Sequence, residues 1–169
     1  MNILRSLLVL LALAASAQTW VEGEIGFRLT IIPVGSPAER AGLKIGDILA
    51  DPPGVRPILL GHGQLPVFRF DAAKGAYSKA TVPIAFREGE EKRLGVTGDL
   101  GYLVTRLEPG SLAARAKLQL HDFLPQLDDH FVHEPKDLAL PEKGEVRLHV
   151  TRWNRSTRSF EKLILPFTR

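Results

Sequence analysis

The sequence predicts a mainly β protein with short helices, an α+β chain built from two similar units. Three observations support this prediction. Apolar and polar residues alternate over several short segments, glycine and proline bracket short helical stretches, and one stretch of the chain occurs twice. The 169 residues are enough for two small domains.

The stretch from residue 35 to residue 48 predicts one helical turn between two strands. Gly35 suits a tight turn, Ser36 suits a helix N-cap, and Pro37 suits the first helical position, where no backbone N–H is needed. Gly42 can end the helix in a left-handed conformation. We therefore expect a single helical turn, closed by glycine bends, that leads into the next strand.

The same stretch recurs in the second half of the chain. Residues 26–49 align with residues 101–124 without a gap, and ten of the 24 pairs are identical. The second copy keeps the first turn, the cap and the small residues, but the proline and two glycines are replaced. This internal repeat predicts two domains, residues 18–97 and residues 98–169.

The N-terminus predicts a secretory signal peptide over residues 1–17. Arg5 precedes an apolar run, and Ala15-Ser16-Ala17 has the small-x-small form of a signal-peptidase site. A membrane anchor is the alternative, but the run is shorter than the roughly 20 residues that a spanning helix needs. We expect cleavage after Ala17 and a secreted or periplasmic protein with no membrane span after cleavage.

Composition narrows the class of protein further. The sequence has no cysteine, which excludes disulfides and a lipid-anchored cysteine. The formal net charge is +3, and basic and acidic residues are balanced within both predicted domains. No basic face is expected, so nucleic acid is not a predicted partner.

Alternating and apolar segments predict the strands of each copy. In the first copy they lie at residues 26–32, 43–45, 48–50, 82–87 and 92–96, with a turn at residues 88–91. Residues 67–70 favour a further strand, and residues 71–74 are compatible with the start of a helix. In the second copy strands are predicted at residues 101–107, 123–124, 146–150 and 163–167, with a short helix at residues 135–140 and turns at residues 128–129 and 154–156.

The PDZ family has the pattern G-S-P-A-x-x-A-G-L-x-x-G-D-x-I/L between two strands, and the first copy of the repeat resembles it closely. The matching residues are Gly35-Ser36-Pro37-Ala38-Glu39-Arg40-Ala41-Gly42-Leu43-Lys44-Ile45-Gly46-Asp47-Ile48. The resemblance implies two tandem PDZ-like domains, each a partly open β-barrel, of which the second is degenerate. It also implies that an extended peptide adds as a strand beside a helix, while amides of a Φ-G-Φ loop bind its C-terminal carboxylate.

The resemblance also implies candidate peptide-binding residues. Leu94-Gly95-Val96 is the best match to a Φ-G-Φ loop, and residues 92–96 are also the candidate for the last strand of the first copy. Ile25-Gly26-Phe27 is the second candidate. The groove helix would come from residues 71–79 in the first copy and residues 136–140 in the second, where Leu138 either lines the groove or fills the core.

Catalysis and metal binding are not expected of this chain. No G-x-S-x-G stretch occurs, and Ser36 and Ser111 follow glycines in positions that predict helix caps. His130 and His133 lie in the one ligand-rich segment, but their spacing on a strand would point them to opposite faces, so an exposed turn is expected. We predict no catalytic residue, no metal and no cofactor.

The predicted function is that of a non-catalytic, extracytoplasmic module that captures extended or C-terminal peptide segments by strand addition. Its partner would be a peptide or protein, such as an envelope protein or a protease. The alternatives are a degenerate PDZ pair that serves as a structural or assembly element, and an accessory of a separate envelope protease. Trp20 and Trp153 fall at sheet ends, where they either offer apolar surface to a partner or cover the sheets.

Overall fold

The computed structural model describes residues 20–50, 63–91 and 93–168. The predicted signal peptide at residues 1–17 and its cleavage position lie outside the described residues. Within the ranges described, no helix is long and apolar enough to cross a membrane.

Strands dominate the described part of the chain. They are β1 (Glu22–Ile31), β2 (Ile48–Ala50), β3 (Gly63–Asp71), β4 (Ala76–Ile84), β5 (Thr97–Arg106), β6 (Phe123–Leu127), β7 (His130–Phe131), β8 (Glu145–Asn154) and β9 (Ser159–Thr168). The helices are α1 (Pro37–Arg40), α2 (Leu112–Arg115) and a 3₁₀ helix (Pro135–Leu138). The predicted mainly β class with short helices is confirmed.

The strands form one open, antiparallel sheet that runs through both repeats. Its order is β4-β3-β2-β1-β5-β6-β8-β9, and β7 pairs with β6. The two repeats join where β1 pairs with β5. The division of the chain into domains after residue 97 stays a prediction, and that residue is the first of β5.

The two copies of the repeat fold alike. The alignment of the two copies pairs the first residues of β1, α1 and β2 with the first residues of β5, α2 and β6 respectively. Both helices have the predicted serine cap: the Ser36 hydroxyl accepts the Glu39 N–H at 3.1 Å, and the Ser111 hydroxyl accepts the Ala114 N–H at 3.2 Å. The sequence repeat is therefore also a structural repeat.

Each repeat ends in a hairpin, β3–β4 in the first and β8–β9 in the second. The turns occupy equivalent places in the two repeats, and each begins with an Asx turn, at Asp71 or at Asn154. Asp71 Oδ1 accepts two backbone N–H groups at 2.9 and 3.1 Å, and Asn154 Oδ1 accepts the equivalent two at 2.9 and 3.2 Å. The structural repeat thus extends beyond the aligned stretch to the hairpins.

The seam between β1 and β5 has local two-fold symmetry. Gly26 pairs with Gly101, and the two glycines are equivalent positions of the repeat. On either side, residue 25 pairs with 102 and residue 27 with 100, and the repeat alignment converts each of these pairs into the other. A pseudo-two-fold axis therefore passes between Gly26 and Gly101.

Four glycines let the two seam strands approach each other. A side chain at Gly23 would overlap the Leu103 carbonyl oxygen, and one at Gly98 would overlap the equivalent carbonyl oxygen on β1. On the axis, Gly26 and Gly101 leave room for side chains of β2 and β6. Gly23 is equivalent to Gly98 in the repeat, and Gly26 to Gly101. Both repeats therefore have glycine where the pairing of β1 with β5 needs it.

The sheet buries apolar side chains on both faces. Adjacent residues of a strand point to opposite faces, and Ile48 and Leu49 of β2 belong to different clusters. The first-repeat core contains Leu29, Ala38, Leu43, Leu49, Leu65, Val67, Val82, Ile84 and Leu94. The second-repeat core contains Val21, Tyr102, Val104, Ala113, Ala116, Leu118, Leu124, Leu127, Val132, Leu138, Val146, Leu148, Val150 and Phe167.

On the opposite face the two hairpins meet in an aromatic cluster, which consists of Phe70, Tyr77, Trp153 and Phe160. The cross-strand pair Phe70 and Tyr77 of the first hairpin is equivalent to the pair Trp153 and Phe160 of the second. The Phe70 ring centroid lies 4.8 Å from those of both Trp153 and Phe160. Burial raises the pKa of Tyr77, whose hydroxyl donates to the Gly46 carbonyl oxygen at 3.0 Å. The cluster ties the two repeats together away from the seam.

The predicted closing hairpin of the first copy is wrong, although residues 82–84 lie in a strand and a turn occurs at residues 88–89, as predicted. β4 ends at Ile84, and residues 85–91 and 93–96 contain no strand. β4 pairs instead with β3 along its full length, from Ala76 opposite Asp71 to Ile84 opposite Gly63. The segment before β5 instead inserts the buried Leu94 side chain into the first-repeat core.

Two further local predictions for the first copy are wrong. Residues 71–79 form a turn and the start of β4 rather than a helix, because the Asp71 carboxylate fixes an Asx turn and Gly75 has φ +64°. Residues 43–45 contain no strand; instead residues 44–47 form a turn, in which the Asp47 carboxylate accepts the Lys44 N–H at 3.0 Å. The predicted strand at residues 67–70 and the strands of the second copy are confirmed.

Candidate peptide-binding site

The segments that lead into β1 and β5 are exchanged between the repeats. Val21 precedes β1 but is buried in the second-repeat core. Val96, its equivalent in the repeat, precedes β5 and packs against the first-repeat core. When the repeat alignment is extended so that the second copy includes Val96, each copy supplies the leading segment of the other, and a groove beside either helix is built from both copies.

The candidate loop Leu94-Gly95-Val96 lies beside the N-terminus of α1. The Leu94 side chain is buried, and its carbonyl oxygen accepts the Ala38 N–H at 3.4 Å. Gly95 is exposed and has φ +69°, and a Cβ there would lie 3.6 Å from the Ser36 Cβ. Gly95 therefore faces outward while its neighbours pack on the first repeat.

The candidate residues Ile25, Gly26 and Phe27 lie in the middle of β1. All three pair with β5, and Gly26 and Phe27 also pair with β2 on the other edge. Gly26 is buried on the pseudo-two-fold axis. The backbone of Gly26 and Phe27 is therefore occupied by neighbouring strands on both edges.

Leu138 is fully buried in the second-repeat core, so its side chain fills the core. Its carbonyl oxygen accepts a hydrogen bond from Trp20 Nε1 at 2.6 Å. The Trp20 ring also stacks on Phe167, with 6.2 Å between ring centroids and 7° between ring planes. These contacts hold the leading segment of β1 beside the 3₁₀ helix.

A cleft of about 520 Å³, here called the second-repeat cleft, opens beside this contact. It lies between the leading segment of β1, the N-terminal end of α2 and the 3₁₀ helix. Its apolar lining includes Trp20, Val21, Leu112, Ala113, Pro135, Leu138, Ala139 and Leu140, and its charged lining is Glu22, Arg106, Glu108 and Lys136. The volume is typical of a site that holds a small ligand or a few side chains of a peptide.

Ion pairs surround the rim of the second-repeat cleft. Arg106 lies 3.5 Å from Glu22 and also pairs with Glu108. Lys136 Nζ lies 2.6 Å from the Glu134 carboxylate, and this hydrogen bond raises the pKa of Lys136. Exposed pairs of this kind add little stability and break easily. The cleft thus combines an apolar floor with a rim of both charges.

A buried pair of charges positions the turn after α2. Asp122 is 1% exposed and accepts hydrogen bonds from Arg152 Nε at 2.8 Å and Nη2 at 2.6 Å. Arg152 also donates to the Lys117 carbonyl oxygen at 2.9 Å, and the pair with Asp122 raises the pKa of Arg152. The pair fixes α2, and therefore one wall of the cleft, on the sheet.

The residues predicted to bind a peptide are not brought together. The first candidate loop packs on the first repeat, the second lies on the seam, and Leu138 is in the second-repeat core. The sequence reasoning missed Trp20 as an anchor and Arg106 at the rim. A signal for Trp20 was present, because extending the repeat alignment towards the N-terminus pairs it with Gly95 of the candidate loop.

The histidine-containing turn is exposed, as predicted. His130 lies in β7 and His133 follows that strand, and both are exposed. Over residues 20–50, 63–91 and 93–168, no group of three or more His, Cys, Asp or Glu side chains is placed to hold a metal ion.

Comparisons with known proteins assign no family to this chain. No protein-family model matches it, and no curated protein matches it significantly.

Proposed function

We propose that this chain is a non-catalytic, extracytoplasmic PDZ-like module that binds an extended or C-terminal peptide segment of a partner protein. The observation that carries the proposal is the second-repeat cleft, which lies between a strand-leading segment and a short helix. A PDZ domain holds its peptide between corresponding elements. The signal-peptide pattern of residues 1–17 supports a secreted or periplasmic location.

The lining of the cleft favours a peptide with one apolar anchor. Leu112 and Leu140 are half-buried, and with the Trp20 indole they offer an apolar floor. Arg106 and Lys136 are the cations at the rim, where they would lie near a peptide carboxylate. Their present acidic partners are exposed and could be exchanged for that carboxylate at small cost.

A second function, that of an assembly element, is favoured by the outer strands. Pro83 in β4 and Pro166 in β9 lie at equivalent positions of the two hairpins. Proline has no N–H, so each outer edge lacks a donor where an added strand would need one. A partner at these edges would therefore bind through side chains rather than by extending the sheet.

A C-terminal peptide library tested against residues 18–169 distinguishes these functions. Ala139→Trp fills the cleft from an exposed position, and Ala85→Trp is the matched control at an exposed position outside it. We expect binding to require a free carboxylate and to weaken by about tenfold or more in Ala139→Trp, while Ala85→Trp binds like the parent.

Gly95→Trp separates the two candidate sites for the carboxylate. Loss of binding in Gly95→Trp but not in Ala139→Trp would move the site to Leu94-Gly95-Val96. If binding needs no free carboxylate and is unchanged in Ala139→Trp, the result would support the assembly element instead. Circular dichroism of each variant checks that the fold is retained.

A further inference from the structure

The turns of the two hairpins touch beside the aromatic cluster and leave a second, separate cleft. Arg155 Nη2 donates to the Lys74 carbonyl oxygen at 3.0 Å, which joins the second turn to the first. The cleft has a volume of about 320 Å³ and is lined by Ala72, Ala73, Trp153, Arg155 and Arg158. We call it the hairpin-tip cleft. It lies away from the second-repeat cleft and shares none of its lining residues.

The hairpin-tip cleft carries positive charge that no acid neutralises. Among the residues that the structure describes, no carboxylate lies within ion-pair distance of Arg155 or Arg158. Asp71, the acid of the first turn, is occupied by two backbone N–H groups and by Lys74 Nζ at 3.5 Å. The second turn begins with the neutral Asn154 instead, so the Arg158 guanidinium and the remaining N–H groups of Arg155 are available to a ligand.

Trp153 lines the same cleft with its indole ring. Its Nε1 is buried and has no hydrogen-bond partner within the described ranges. Buried donors without an acceptor are rare and costly, and such a group calls for an explanation. The N–H is buried rather than open to the cleft, so the contribution of Trp153 to the cleft lining is its indole ring.

Arg158 occupies a backbone position that favours glycine. Its φ is +51°, and the equivalent residue of the first turn is Gly75, with φ +64°. The guanidinium is therefore present at a site where glycine would fit without strain. Similarly, the exposed Ala72 of the first turn corresponds to Arg155 of the second.

We propose that the hairpin-tip cleft binds an oxyanion, a phosphate or carboxylate group attached to an apolar ring. Arginine forms paired hydrogen bonds with both kinds of oxyanion, which would engage Arg155 and Arg158. The Trp153 indole and the methyl groups of Ala72 and Ala73 provide the apolar wall against which a ring can pack. The chemistry is independent of the peptide site proposed above.

Fluorescence titration tests the proposal with a single reporter. The sequence has two tryptophans, so in the Trp20→Phe protein Trp153 is the single tryptophan whose fluorescence is measured. Phenyl phosphate, benzoate and neutral benzyl alcohol are added to the Trp20→Phe protein at constant ionic strength. We expect a saturable change with phenyl phosphate or benzoate and none with benzyl alcohol, and the tighter of the two anions identifies the group that the cleft prefers.

Two variants and one control separate binding from folding. Arg155→Gln and Arg158→Gly, each in the Trp20→Phe background, should weaken anion binding by about fivefold or more. Arg158→Gly should at the same time raise Tm, because it relieves the left-handed backbone, so weaker binding cannot be due to unfolding. Arg115→Gln, a change of an exposed arginine on α2, should bind like the Trp20→Phe parent.

Three results would overturn the proposal. These are the absence of a saturable response to either anion, an equal response to benzyl alcohol, and undiminished binding by both arginine variants.

Discussion

The two repeats reach the same turn geometry with different residues. After α1 the left-handed positions are Gly42 and Gly46, with φ +75° and +92°. After α2 the equivalent positions are Lys117 and His121, with φ +61° and +72°. Residues with a side chain pay roughly 1 kcal/mol or more for this conformation, whereas glycine does not. The second repeat therefore contains strain that the first lacks.

The ion pair made by the buried aspartate beneath the turn is, in contrast, tighter in the second repeat than in the first. In the first repeat a single hydrogen bond of 3.3 Å joins Arg69 to Asp47, and the Arg69 side chain is 35% exposed. In the second repeat Arg152 makes two bonds to Asp122, at 2.8 and 2.6 Å, and is 16% exposed. Paired, charge-assisted bonds of this kind are the stronger ones. We infer that the tighter pair offsets the strain left by the lost glycines.

Removal of the buried acid should give the largest difference between the repeats. Asp122→Ala leaves Arg152 without its partner, so we expect the free energy of unfolding to fall by about 3 kcal/mol. Asp47→Ala breaks the weaker pair and should cost about 2 kcal/mol. Urea unfolding followed by circular dichroism measures both values, and equal losses would contradict the inferred compensation.

Substitutions at the seam between β1 and β5 test whether the two repeats, which are alike there, also have equal stabilities. Gly23→Ala and Gly98→Ala each add a methyl group that overlaps a carbonyl oxygen of the opposite strand. Each should cost about 2 kcal/mol, because the strands must move apart. If the pseudo-symmetry also holds for stability, the two losses in the free energy of unfolding, measured with urea, agree within about 0.5 kcal/mol. A loss in only one of the two variants would contradict this expectation.

Return of a glycine to the second repeat should stabilise the protein. Lys117→Gly relieves the left-handed backbone and leaves the carbonyl oxygen that accepts from Arg152 in place, for an expected gain of about 0.5 to 1 kcal/mol. The reverse change, Gly42→Lys, should lose a similar amount. Thermal unfolding would detect shifts of a few degrees in opposite directions, and a lower Tm for Lys117→Gly would show that the lysine is not strained.

The smallest expected effect concerns pH. Burial lowers the pKa of His121 from its ordinary value of 6.5, so the unfolded state takes up this proton first as the pH falls. The stability that the neutral His121 contributes is present above about pH 6.5 and is lost as the pH falls towards the folded-state value. His121→Asn removes this titration and suits the left-handed backbone. Between about pH 7 and pH 5.5, the free energy of unfolding measured with urea should fall less steeply for the variant than for the parent. Identical pH profiles would exclude His121 as a source of the pH dependence.

Short-range chemistry predicted much of the fold. The caps at Ser36 and Ser111 and the hairpin near Asn154 depend on residues within a few positions of each other, and all three are found. The first hairpin was harder to predict, because an acid followed by two alanines and a lysine resembles the start of a helix. In the structure the Asp71 carboxylate accepts the next backbone N–H groups and forms an Asx turn, so no helix begins there.

Long-range contacts set the limit of the prediction. The neighbours of Gly26 fit a ligand-binding loop as well as they fit a strand, and the pairing with Gly101 decides between them. The candidate peptide site depends on the same kind of contact, since the Trp20 indole reaches a carbonyl oxygen 118 residues away. The repeat alignment singles out Trp20 by pairing it with Gly95, but no sequence pattern shows which carbonyl oxygen its indole reaches, so the cleft itself could not be predicted from the sequence.

A strand that pairs with its own copy about a two-fold axis is self-complementary, which is the arrangement of a symmetric homodimer interface. In this protein the arrangement lies within one polypeptide, so both halves are present at equal amounts and each can change without altering the other. The hairpin turns illustrate the result, since one has alanine and glycine where the other has two arginines. Because the two halves are covalently joined, the protein can have an asymmetric surface that an assembly of two identical chains could not form.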